Sequence, residues 1–167
     1  MNEMMIDPSS SSSSEDFNFC YGKWRIANRK LLRRFDNCNE WSEFEATSDC
    51  RRILRGIGNA ESYFTDAFGS PFEGYALRLF DPTTWLWSIF WTDSERATLD
   101  PPQIGSFANG VGEFLARDVF EGKPIIVKFR WDATDPDRPI WSQAFSADDG
   151  ATWEWNWFMK MERENNE

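Results

Sequence analysis

The sequence predicts an all-β chain folded as a single antiparallel up-and-down β-barrel of about ten strands. Three observations carry this. Apolar residues recur at every second position in segment after segment, the period of a strand with one face buried. Turns rich in Gly, Pro, Asn and Asp join each segment to the next, with no convincing helix between them. The 167 residues include ten Trp and fifteen Phe, an aromatic load that favours pleated surfaces. Ten strands joined by consecutive hairpins most economically close on themselves, because closure removes the edges through which strands aggregate.

Residues 1–16 contain six consecutive serines flanked by acids and are expected to form a mobile, disordered tail. Residues 17–163 form one barrel domain, and residues 164–167 a polar C-terminal tail. Gly22-Lys23-Trp24 leads into a first strand through Arg29, which Asp36-Asn37-Cys38-Asn39 closes. The second strand, Trp41 to Cys50, sets Phe44, Ala46, Ser48 and Cys50 against Glu43, Glu45 and Thr47. Gly56 and Gly58 turn the chain into Asn59 to Thr65, and the fourth strand runs from Gly74 to Phe80. Asp81-Pro82-Thr83-Thr84 is a turn with φ preset by proline, and it opens a strand from Trp85 to Trp91 that is apolar on both faces. Residues 92–103, with Pro101-Pro102, are the longest irregular segment, a lid or a crossover. Asn109-Gly110 joins Ile104–Ala108 to Val111–Val119, and Ile125 to Trp131 follows after another turn. The last hairpin places Trp141, Gln143 and Phe145 on one arm and Trp153, Trp155, Trp157, Met159 and Met161 on the other.

Composition excludes several functions. The 18 basic and 28 acidic residues leave a net charge of −10, which opposes binding to nucleic acid. Histidine is absent, which removes the usual general base and the usual haem and zinc ligand, so neither a metal nor a cofactor is expected. Cys20, Cys38 and Cys50 are an odd number at unrelated spacings and suggest neither a disulfide framework nor a metal site. No apolar run approaches the length of a membrane span and no apolar signal segment is present, so a soluble, cytoplasmic protein is expected.

Gly22-Lys23-Trp24 resembles the Gly-x-Trp signature of the calycins, the superfamily of lipocalins and fatty-acid-binding proteins. Together with Glu40-Trp41-Ser42-Glu43-Phe44, the stretch Leu79 to Ser88 and the end Ser146 to Trp157, it resembles a bacterial family of uncharacterised calycin-like barrels, over roughly residues 17–163. The resemblance implies a lipocalin-like barrel and no settled activity. It also implies that Trp24 packs across a closed end under a cation from the last strand, Lys160 or Arg163. Ser146-Ala147-Asp148-Asp149-Gly150-Ala151-Thr152-Trp153 resembles the Asp-box of sialidase propellers; a single copy is a hairpin turn, not a propeller.

The candidate ligand wall is Trp87, Trp91, Phe129, Trp131, Trp141, Phe145, Trp155 and Trp157, since so many indoles pack poorly into a solid core and each N–H wants a partner. The alternative is an ordinary packed core. Arg78, Asn28, Gln143 and Asn156 would supply polar anchors. Arg78 and Arg130 either turn inward, where a guanidinium holds a ligand carboxylate, or face solvent. Half of the basic residues fall between residues 23 and 55, as a basic patch or as a solvated outer face. Glu61 and Tyr63, two apart on one strand, are the candidate catalytic pair for moving a proton; Tyr21 and Tyr75 are weaker ones. The expected partner is a small hydrophobic or aromatic molecule held in the barrel, and a homodimer is compatible with that. The alternatives are a cofactor-free cyclase or isomerase using the same cavity, and an interaction module with a filled core.

Overall fold

Alternation and breakers resolve into ten strands in a computed structural model that describes residues 4–165. They are β1 (Gly22–Leu31), β2 (Trp41–Ile53), β3 (Gly58–Thr65), β4 (Phe72–Asp81), β5 (Leu86–Asp93), β6 (Gln103–Ala108), β7 (Val111–Phe120), β8 (Lys123–Asp132), β9 (Ile140–Ser146) and β10 (Glu154–Arg163). Each strand pairs antiparallel with the next, and β1 pairs with both β2 and β10, so the sheet closes into an up-and-down barrel. Two short 3₁₀ turns, Asn18–Cys20 and Leu54–Gly56, are the only helical turns among the described residues. No helix among them is long and apolar enough to cross a membrane.

One end is plugged. Trp24 is fully buried, and its indole N–H donates to the Cys20 carbonyl at 2.7 Å. Of the two cations expected above it, Arg163 takes the place, 4.2 Å from the ring centroid, and Lys160 is exposed. Arg163 also donates to the carbonyls of Tyr21 and Phe19, each at 2.8 Å, which ties the last strand to the segment before the first. Phe17 completes the plug, edge-on to Trp87 and to Phe107 with centroids 4.9 Å apart.

Three expectations are corrected by this architecture. The serine-rich segment, expected to be a mobile tail, lies against the plugged end of the barrel and makes turns from residue 10 onward; residues 1–3 of that tail and 166–167 of the C-terminal one lie outside the described residues. Its backbone and hydroxyls bond to groups of the barrel. The Ser9 amide donates to Ser106 Oγ at 2.9 Å, the Ser9 and Ser12 hydroxyls donate to the Phe107 and Trp85 carbonyls, and the Ser13 carbonyl accepts from the Trp87 indole at 3.2 Å. A polar segment orders without a core of its own when another surface supplies its partners.

Trp85, expected to open the fifth strand, sits instead in the preceding turn with φ 61° and is 54% exposed. Asp81 builds that turn: its backbone carbonyl accepts from the Trp85 amide and its carboxylate from the Thr83 amide, both at 2.8 Å. On β10, a bulge between Trp155 and Trp157 reverses the expected parity. An extra residue flips every side chain beyond it, so Trp157, Met159 and Met161 face inward while Trp155 turns outward to stack on Phe158.

The Asp-box octapeptide is the β9–β10 turn. Asp148 accepts from the Thr152 hydroxyl at 2.6 Å and the Thr152 amide at 2.8 Å, and the Ser146 hydroxyl donates to it at 2.8 Å, while Gly150 takes φ 91°. These bonds, the Thr152 hydroxyl first, hold the Asp148 carboxyl at a pKa of about 2.

Candidate functional site

The inward residues of β1, β3–β6 and β8–β10 do not meet at the barrel axis. They leave a cavity of about 540 Å³, within the roughly 300–1,000 Å³ of small-molecule sites. It opens at the end opposite Trp24, among the loops after β1, β3, β5 and β7.

Its floor is ionic. Arg78 on β4 and Glu61 on β3 are both buried, with Arg78 Nη2 3.1 Å from Glu61 Oε1 and Arg78 Nη1 2.8 Å from Asn59 Oδ1. The guanidinium carbon lies 5.1 Å from the Phe17 ring and 5.4 Å from that of Trp131. Burial works against the Arg78 charge, and Glu61 together with the Cys20 and Cys50 sulfurs outweighs it, so the group is held charged. Three floor atoms have no hydrogen-bond partner among the described residues: Glu61 Oε2, Arg78 Nε and Gln103 Oε1. Beneath the floor the Cys20 and Cys50 thiols lie 3.1 Å apart, a contact the spacing of the cysteines did not suggest. Burial, and then the bond with Cys50, raise the pKa of Cys20, so it remains a thiol.

Indoles and phenyls make the wall. Trp141 packs edge-on between Phe129 and Trp157, at centroid distances of 5.0 and 5.8 Å. Trp91 crosses Gly74 on the neighbouring strand so closely that a Cβ there would lie 2.0 Å from the ring. Only a glycine admits that ring. The Trp91 N–H donates to Asp93 Oδ2 at 3.1 Å. Asn28 satisfies two groups at once, its Oδ1 accepting from the Tyr63 hydroxyl at 3.1 Å and the Trp157 indole at 3.0 Å. Burial raises the pKa of Tyr63, so the phenol remains a donor.

At the mouth, Lys30 lies 4.3 Å above the Trp157 ring and Arg34 5.7 Å from that of Phe145. Both are half-buried. Desolvation, with Arg34 nearby, lowers the Lys30 pKa to about 8. Across the opening, Arg96 is held by Asp93 and Asp100, each at 2.9 Å.

The residues singled out in the sequence divide accordingly. Trp91, Phe129, Trp131, Trp141, Phe145, Trp157, Arg78, Gln143, Glu61 and Tyr63 line the cavity. Trp87 belongs to the plug, Trp155 to the outer face, and Asn28 and Asn156 stand behind the wall as partners of Tyr63, Trp157 and Gln143. Arg130 faces outward beside Asp132. Tyr75 is exposed, and Tyr21 lies at the plugged end. Gln103, Lys30 and Arg34 were not singled out for the site. Lys30 shares the parity of Trp24, Ile26 and Asn28, which was the available signal; Arg34 lies beyond the strand, where parity says nothing. No protein-family model matches the chain and no curated protein matches it, so the site is read from its own geometry.

Proposed function

We propose that the barrel binds one small hydrophobic or aromatic molecule in its cavity. The observation that carries this is an aromatic-walled space of about 540 Å³, open at one end and closed at the other by the Phe17–Trp24 plug. Burial of an apolar body against these rings contributes roughly 25 cal/mol per Å² of surface removed from water. The floor orients it: Glu61 Oε2 and Gln103 Oε1 offer two acceptors without partners, which suits a hydroxyl or N–H at the ligand's leading end. Arg78 is engaged by Glu61 and Asn59, so a carboxylate placed there would meet the Glu61 charge. The contact between Trp24 and Arg163 is what the likeness to calycins implies, and it supports placing the chain among them.

Binding is preferred over cofactor-free cyclisation or isomerisation because both candidate proton carriers are engaged, Tyr63 with Asn28 and Glu61 with Arg78. The test is a titration of the protein with the neutral aromatic N-phenyl-1-naphthylamine, following quenching of Trp emission and probe fluorescence, alongside native mass spectrometry of freshly purified protein. Saturable one-to-one binding, or a retained ligand, supports the reading. No response to this probe or to a panel of similar size, with no retained mass, overturns it. Turnover of any bound compound that is lost in Glu61→Gln while binding persists would favour the enzyme instead.

A further inference from the structure

Every described acid and base at the cavity mouth has a partner or lies in open water, with two exceptions. Lys30 and Arg34 are half-buried, both line the cavity, and neither has a carboxylate within salt-bridge distance among the described residues. Arg34 Nε is buried with no hydrogen-bond partner. The other acids at the mouth are otherwise placed: Glu154 receives the Phe35 amide with both oxygens at 3.0 Å, Asp93 and Asp100 hold Arg96, and Asp118 receives the Val119 amide at 2.8 Å. Glu95 is the acid whose field reaches Lys30, and it forms no salt bridge. A cation withdrawn from water without a counter-charge carries an uncompensated desolvation cost. Lys30 is partly relieved by the faces of Trp157 and Phe68, at 4.3 and 5.7 Å, and this holds its ammonium over the opening instead of letting it swing into solvent.

We propose that Lys30 and Arg34 form an anion-binding rim, so that the molecule taken by the barrel is a free amphipathic organic acid, its apolar body among the indoles and its carboxylate, sulfonate or phosphate at the mouth. This rests on the cavity reading above and gives the ligand a polarity. The floor, where Glu61 already neutralises Arg78, receives the uncharged end, and the anion stays where two unpaired cations wait for it. Arg34 Nε supplies a directed donor, and Lys30 a mobile point charge that can follow acids of different shape.

A matched pair of probes separates this claim from the one it rests on. 8-Anilinonaphthalene-1-sulfonate carries an anion, whereas N-phenyl-1-naphthylamine has the same ring system without it. The wild-type protein is expected to bind the sulfonate about tenfold more tightly, the scale of one charge-assisted hydrogen bond. That ratio should fall towards unity in Lys30→Met/Arg34→Gln. Raising salt from roughly 20 to 500 mM should weaken the sulfonate and leave the neutral probe unchanged, a measurement that needs no variant. Equal affinities in the wild type, or a ratio indifferent to both salt and substitution, would overturn the anion rim and leave the cavity reading intact. Failure of both probes to bind would overturn both.

Discussion

Arg78 Nη2 lies 3.1 Å from Glu61 Oε1 at the bottom of the barrel, joining β4 to β3 through a buried ion pair whose side chains are 4% and 8% exposed. Such a pair is costly to break and cheap to replace. Removing one partner strands the other charge, at about 3–5 kcal/mol, whereas exchanging both for apolar residues of similar volume is often neutral. Glu61→Leu and Arg78→Met are therefore each expected to destabilise by about 3 kcal/mol or more. The double variant should lose far less than their sum, and what remains should reflect Asn59, left without Arg78, at about 1–3 kcal/mol. Urea unfolding of the four proteins measures this, and additive losses would refute it.

Asn28, 3% exposed and behind the wall of the site, holds the Tyr63 hydroxyl and the Trp157 indole on a single oxygen. Asn28→Ala leaves two donors without an acceptor. The expected loss is about 2 kcal/mol or more, a fall in Tm of roughly 5 °C for a chain of this size. Freed from its partner, Trp157 should also change the Trp emission of the ligand-free protein. An unchanged Tm and spectrum would show that water or another acceptor replaces Asn28.

The barrel was legible in the sequence because closure needs only period-two alternation and short turns, and both are local. The Asn109-Gly110 hairpin follows from its turn dipeptide, and the inward set Trp91, Phe129, Trp131 and Trp141 from alternation along single strands. Parity fails where a residue is inserted. Nothing in Glu154-Trp155-Asn156-Trp157 announces a bulge, and one extra residue suffices to send Trp155 outward. Pairings between distant segments were equally hidden. Cys20 meets Cys50, and Ser9 meets Ser106 and Phe107, only because the plug folds back across the barrel end, so cysteine spacing and serine content pointed elsewhere. Glu61 and Arg78 were each singled out, yet their mutual engagement depends on the register of β3 against β4.

Gly74 sets the shape of the cavity through what it lacks. A Cβ would lie 2.0 Å from Trp91 Cη2 and 2.3 Å from Cζ2, so Gly74→Ala must push the indole inward, away from Asp93 Oδ2 and off the edge of Tyr63. Overpacking of this kind costs about 1–3 kcal/mol. Its more telling effect is on volume, because the displaced ring occupies space a ligand would use. Binding of N-phenyl-1-naphthylamine is expected to weaken more than stability does, and a variant that binds as tightly as the wild type would show that Trp91 does not bound the site.

Lys30 connects the mouth of the cavity to the pH dependence of folding. Burial first, and then Arg34, lower its pKa from 10.5 to about 8, while Glu95 partly opposes them. Below pH 8 the ammonium is protonated in both states, and the folded protein bears the whole desolvation cost. Between pH 8 and 10.5 the folded state has released the proton while the unfolded chain still holds it, so stability rises with pH across that window. In Lys30→Met this contribution vanishes. The difference in unfolding free energy between wild type and variant is therefore expected to drift in favour of the wild type from pH 8 to 10.5, as other titrating groups cancel in the subtraction. A sulfonate bound at the rim stabilises the ammonium and should flatten the drift. A constant difference across the window would mean that Lys30 is hydrated at the mouth.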